Sequence, residues 1–221
     1  MASAQDLRKR IKSVTNTQQI TKAMKMVASA RLRRAQGKAE ATGPYADKLG
    51  QILRHIASSI PENFSSPLLE VRPVKRTCYV MIGADKGLAG AFSTNLTKFV
   101  IEQIGTKTPD QYDIITSGRK PRDCMKIRGY HVEKHFSGYS DKPGYEHARA
   151  LIQEVIPRFL NGEVDEIIMV YTHFVNSMTQ VAEAHQLLPI ETPQAEQDGQ
   201  DYIFMPDVTT VCEQILPKYL E

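Results

Sequence analysis

"VTNTQQITKAMKMVASARLRRAQ", residues 14–36, holds five basic residues, no acidic residue, no Gly and no Pro. It reads as helix from end to end, because nothing in it breaks the backbone ladder and its apolar side chains return at helical spacing. Outward from this stretch, a 4,3 alternation keeps its register from Leu7 through Ile11, Val14, Gln18, Thr21, Lys25, Ala28, Leu32, Ala35, Ala39, Thr42, Ala46, Leu49, Leu53 and Ile56 to Ile60, and twelve of these sixteen positions are apolar. A strict seven-residue repeat of that length marks a coiled-coil seam; the apolar face of a helix on a globular core is broader. The spacing predicts one helix from about residue 4 to residue 60, roughly 85 Å long at the helical rise. Gly43-Pro44 interrupts it. A proline there removes a backbone hydrogen bond, and since the repeat resumes in phase the expectation is a kink and not an end.

Charge is divided along the chain. Of 221 residues, the first 40 hold 10 Lys+Arg against 2 Asp+Glu, which leaves 18 against 23 for the remainder. A basic arm of about +8 is therefore attached to a body of about −5, a division that suits an acidic partner, a nucleic acid or an anionic surface, or simply a solvated helix. Cys78, Cys124 and Cys212 are odd in number, widely spaced and without a CxxC pair. Neither a disulfide framework nor a zinc site is indicated, and buried free thiols in a reducing compartment are expected. No stretch approaches 18 consecutive apolar residues, and the N-terminus lacks the apolar core of a secretion signal, so membrane contact is expected only through partners.

From Arg76 onward, short apolar runs alternate with helical stretches. CYVMIG (78–83), YDIITSG (112–118) and EIIMVYTHF (166–174) read as strands, with MTQVAEAHQLLPI (178–190) as a further strand running out from the last. STNLTKFVIEQI (93–104), PRDCMKIRG (121–129) and GYEHARALIQEVIPRFL (144–160) read as helices. PQAEQDGQD (193–201) reads as a polar loop, YIFMP as a short edge segment, and VTTVCEQILPKYLE as the opening of a last helix. Strand-helix alternation implies a mostly parallel sheet covered by helices. The predicted class is α/β: a long N-terminal coiled-coil helix (1–60), a Rossmann-like domain (74–206), and the start of a C-terminal helix (207–221).

Motifs for bond chemistry are missing. GADKGLAG (83–90) lies between a strand and a helix, where a phosphate cradle would sit, but its glycines are spaced G-x3-G-x2-G, which fits neither the dinucleotide fingerprint nor the P-loop. A tight turn is the better reading. His131 and His135 fall on a predicted strand, where i and i+4 share a face, yet no third ligand is placed beside them; no G-x-S-x-G or HExxH is present. No cofactor and no metal are expected.

SVTNTQQITKAMKMVASARLRRAQ, GPYADKL, ADKGLAGAFSTNL, FVNSMTQVAEAHQLLPI and YIFMPD, in this order and spacing, resemble the gamma subunit of F-type ATP synthase across essentially all 221 residues. The resemblance implies a non-catalytic rotor that couples proton-driven c-ring rotation to ATP synthesis or hydrolysis on the beta subunits. Its partners would be the hexamer of alpha and beta subunits, the epsilon subunit and the c-subunit ring, on the cytoplasmic face of a bacterial inner membrane. In that family an N-terminal and a C-terminal helix form an antiparallel coiled coil inside the hexamer. The basic helix faces acidic loops of the beta subunits, an attraction that persists without fixing any one contact.

Carried over residue by residue, Met24, Lys25, Arg31, Arg33 and Arg34 would lie nearest the beta loops, and Asp85, Lys86, Gly87 and Leu88 would form a turn close to the same loops. Tyr202, Phe204 and Met205 would look toward the c ring, with Met205 replacing a carboxylate of some relatives. Ala89 stands where many relatives have Cys. The family's long C-terminal helix has no counterpart before Glu221, so the first helix is expected to lack that partner within this sequence. A nucleic-acid-binding protein with a basic arm and a small nucleotide-dependent enzyme are the alternatives. Residues 1–44 carry a heptad seam that the first would not need and lack the aromatic side chains it would use for stacking on bases, and the second lacks a phosphate motif.

Overall fold

A computed structural model describes residues 3–57, 66–140, 142–191 and 207–220. The chain divides into two units, Met1–Ile52 and Leu53–Glu221. Helix α1 spans Ala4–Ala57, 54 residues, or about 81 Å at the helical rise. Its start is set by a reciprocal cap: Asp6 N donates to Ser3 Oγ at 3.2 Å while Ser3 N donates to Asp6 Oδ2 at 3.2 Å. Two N–H groups without helical partners are thereby satisfied. The hydroxyls of Thr15, Thr17 and Thr42 donate to the carbonyls four residues back, which keeps these polar side chains compatible with helix. The helix does not end at Gly43-Pro44; Pro44 lies inside it. The side chains of Ile56 and Ile60, the last two predicted seam positions, fall outside the described set.

The second unit is built on a five-stranded sheet ordered β3-β2-β1-β4-β5, with β1 Thr77–Ile82, β2 Tyr112–Ser117, β3 Lys134–Phe136, β4 Glu166–Phe174 and β5 Gln180–Leu188. Pairings β1·β2, β1·β4 and β2·β3 are parallel and β4·β5 is antiparallel. The helices are α2 Phe92–Ile104, α3 Arg119–Ile127, α4 Tyr145–Leu160 and α5 Val208–Leu220. Side chains alternate across the central strand: Cys78 and Val80 enter a core with Ile115, Ile152, Phe159, Ile167 and Leu216, while Tyr79 and Met81 enter another with Leu96, Val100, Ile114 and Met125. Helices therefore cover both faces, and β1 is buried almost throughout, as its unbroken apolar run requires. Leu53, from the end of α1, and Cys212, Leu216 and Leu220 of α5 are buried within this unit.

Two expectations are corrected. The strand expected to carry both His131 and His135 has only three residues, so His131 lies before it, exposed, with Nε2 3.3 Å from Glu133 Oε2. His135 instead sits across from Thr116, at 3.2 Å between Nδ1 and Oγ1. All three cysteines are free, but Cys124 on α3 is only half-buried, whereas Pro121 and Met125 of the same helix are buried. The polar loop and the YIFMP segment lie outside the described residues.

Candidate functional site

Two regions carry the residues singled out by sequence. The first is α1, where Lys25, Arg31, Arg33 and Arg34 are exposed. Met24 is 44% exposed, a large apolar side chain standing among cations. The seam beneath them is equally open: Leu7, Ile11, Val14 and Leu32 are all exposed. A helix with this surface suits a covering partner, since scattered apolar exposure is ordinary but exposed apolar side chains recurring at seam positions are not.

The second is the turn that leaves the C-terminal end of β1. Its root is fixed by backbone contacts that extend the parallel ladder: Gly83 N donates to Ser117 O at 2.8 Å and Lys120 N to Ala84 O at 3.0 Å. The approach is so close that Gly118, at φ +108°, would place a Cβ 2.6 Å from Gly83 O. Only glycine fits there. Asp85 is 7% exposed, and it points inward. Its Oδ1 accepts from Arg119 N at 3.1 Å, and its Oδ2 accepts from Gly138 N at 2.8 Å, Ser140 N at 3.3 Å and Ser140 Oγ at 3.0 Å. Asp85 N donates in turn to Ser140 Oγ at 2.7 Å. Burial disfavours the charge, but these donors outweigh it and hold the carboxyl below the ordinary aspartate value.

Beyond Asp85 the turn is open. Lys86, Gly87, Leu88, Ala89 and Gly90 are exposed, Leu88 by 90%, and Leu88 adopts a left-handed φ of 60°. For a branched side chain that conformation costs about 1–2 kcal/mol. The chain resumes at α2, whose Leu96 and Thr97 are buried. Sequence reasoning grouped Asp85 with its neighbours; the structure separates an inward carboxylate from an outward Leu88. Arg119, Gly138 and Ser140, which complete the arrangement, were not identified from sequence. Glycines just after β2 and β3 were the only signal, and they name no partner.

A cleft of about 270 Å³ at the opposite end of the strands is lined by Arg76, Asp113, Glu133, Arg158 and Glu163. Its cations are engaged by the protein's own carboxylates, Arg76 with Asp113 at 2.6 Å and Arg158 with Glu154 at 2.9 Å. It reads as a structural ion-pair network. Among the described residues no His, Cys, Asp and Glu group could hold a metal ion, and no described helix is long and apolar enough to cross a membrane. Tyr202, Phe204 and Met205 lie outside the described residues.

The ATP synthase family profile matches residues 3–221. The chain belongs to the ATP synthase gamma chain family. It is 41% identical over 221 residues to the ATP synthase gamma chain of Desulfitobacterium hafniense and 42% identical over 223 residues to that of Desulforamulus reducens, covering all of this chain and 78% of each relative. The fold is also that of a chain in the central stalk and c-ring structure of the Tetrahymena thermophila mitochondrial ATP synthase, with a TM-score of 0.67 at 18% identity over 91% of this chain and 87% of that one. A chain in the rotor of the Euglena gracilis mitochondrial enzyme gives 0.62 at 17% identity, over 96% and 79%. Gamma chains are central-stalk subunits of the synthase, and catalysis belongs to its beta subunits.

Proposed function

We propose that this chain is the rotor of an F-type ATP synthase, and that α1 is the part that transmits rotation. In this reading residues 1–60 form one strand of the shaft, 74–206 the base, and 207–221 the start of the second shaft helix. The observation that carries it is the surface of α1: an open heptad seam running beside exposed Lys25, Arg31, Arg33 and Arg34. The seam suits a partner helix and the cations suit acidic loops, here those of the beta subunits in the alpha and beta hexamer. Attraction between flexible cations and acidic loops is long-ranged and tolerant of angle, whereas a close-packed contact would hold one orientation. Rotation then acts by differential contact, each orientation stabilising a different set of open and closed beta conformations.

The exposed turn at Lys86, Gly87 and Leu88 supplies a second contact with the same subunits. Tyr202, Phe204 and Met205 are assigned toward the c ring, with the epsilon subunit on the α/β unit, so the chain reaches the cytoplasmic face of a bacterial membrane through its partners. Mixing the chain with alpha and beta subunits tests the reading: one copy per hexamer is expected, and no association, or several copies, would contradict it. The isolated chain should show no ATP site by calorimetry; a micromolar site on it alone would overturn the non-catalytic assignment.

A further inference from the structure

The turn after β1 poses a mechanical question. Six exposed residues, 86–91, carry Leu88 outward in an unfavourable backbone conformation. A turn of this kind would ordinarily swing, because glycines at 87 and 90 add freedom and no side chain in it is buried. Leu88 can press on a neighbour in a defined direction only if the root of the turn is rigid. Three loops meet at that root, following β1, β2 and β3, and a single carboxylate ties them. Asp85 comes from the first, Arg119 N from the second, and Gly138 N with Ser140 N and Oγ from the third.

The second loop is also the start of α3, where the N-cap Gly118 has no side chain to cap with. Asp85 supplies that missing acceptor from a different strand, and its charge sits favourably at the positive end of the helix. We propose that Asp85 is a positioning residue: it fixes the base of the 86–91 turn so that Leu88 is presented to the surrounding subunits in one orientation. The inference rests on the reading that this turn meets those subunits.

A double-mutant cycle in the assembled complex tests it, using Leu88→Ala, Asp85→Asn and both together, with ATP-driven proton pumping and thermal unfolding measured for each. Asparagine keeps the shape of Asp85 but turns an N–H toward N–H donors. If Asp85 works through Leu88, each single change lowers pumping by a similar factor, about tenfold for a coupling in the usual range, and the double change lowers it no further. Asp85→Glu, which keeps the charge, should recover part of the loss. A purely structural Asp85 would give losses that multiply and that track the fall in unfolding temperature, and this result would overturn the proposal. If Leu88→Ala leaves pumping unchanged, the reading that the turn meets the subunits fails instead. Should Asp85→Asn not assemble while Asp85→Glu assembles and pumps as the unmodified complex, the carboxylate serves assembly alone and the proposal is likewise overturned.

Discussion

Helix α1 and the α/β unit spend their apolar residues in opposite ways. In the α/β unit Cys78, Val80, Met81, Leu96 and Val100 are wholly buried, whereas on α1 Ile11 is 65% exposed and Val14 68%. Burying a Val, Leu or Ile is worth about 1.5–3 kcal/mol relative to leaving it in water, so the unit is held by its core, while α1 outside its last turns rests on propensity, the Ser3 cap and side-chain pairs. The difference teaches where each region's stability must originate. The unit carries its own, and α1 must obtain it from whatever covers the seam.

The largest expected contrast comes from truncating one apolar side chain in each region. Phe159 is wholly buried, with the Arg72 guanidinium 4.3 Å above its ring, so Phe159→Ala should cost about 3–5 kcal/mol in urea unfolding. Ile11→Ala in the 221-residue chain should stay within about 0.5 kcal/mol. Equal losses would mean that the seam is already covered. Smaller, and visible only in the complex, is the effect of charge on α1. Arg33→Glu with Arg34→Glu should weaken association with alpha and beta subunits by about 1–2 kcal/mol at low salt and by less as salt rises. A loss independent of salt would point to packing and not to charge.

The pH dependence of the α/β unit sharpens the comparison further. The Asp85 carboxyl is depressed in the folded state, so its contribution is complete above the ordinary aspartate value of about 4 and is lost as pH falls through the lower folded value. Unfolding of Asp85→Asn, followed between about pH 5 and pH 2, should lack that step. His135 is also depressed, chiefly by burial and then by Arg122. Its unfolded form takes up a proton first, so stability should begin to fall as pH drops below about 6.5. His135→Gln should flatten that portion; an unchanged slope would assign it to another group. The smallest effect is chemical: half-buried Cys124 should alkylate in the folded chain, while Cys78, its thiol pushed up to about 12 by burial, and buried Cys212 should react only on unfolding.

Strands and helices with strong local signals were legible from sequence. The run at 166–174 is β4 to the residue, and 112–118 differs from β2 by one position, because continuous apolar runs bounded by turn residues leave few alternatives. The heptad register of α1 was equally plain, and Pro44 did not end it. What stayed hidden depends on tertiary structure. β3 is shorter than the strand expected to carry both His131 and His135, because its three residues are set by pairing with β2 and not by a periodicity in the sequence. Asp85 looked like one more polar turn residue beside Lys86, since its partners lie 34 to 55 positions away. The exposed face of α1 could be read from spacing, because a helix face is fixed by spacing alone, whereas the roles proposed for its cations and for the turn rest on the family resemblance.

Amide hydrogen exchange on the isolated 221-residue chain tests the division between the two regions most directly. We expect the amides of β1, β2 and β4 to exchange only through global unfolding, and those of residues 3 to about 40 to exchange within the mixing time or nearly so, since an isolated helix is marginal in water. Adding a peptide that carries a complementary heptad seam should slow exchange along α1 and leave the sheet unaffected. Strong protection of residues 3–40 in a chain shown to be monomeric would contradict the open seam, and with it the reading of α1 as half of a shaft.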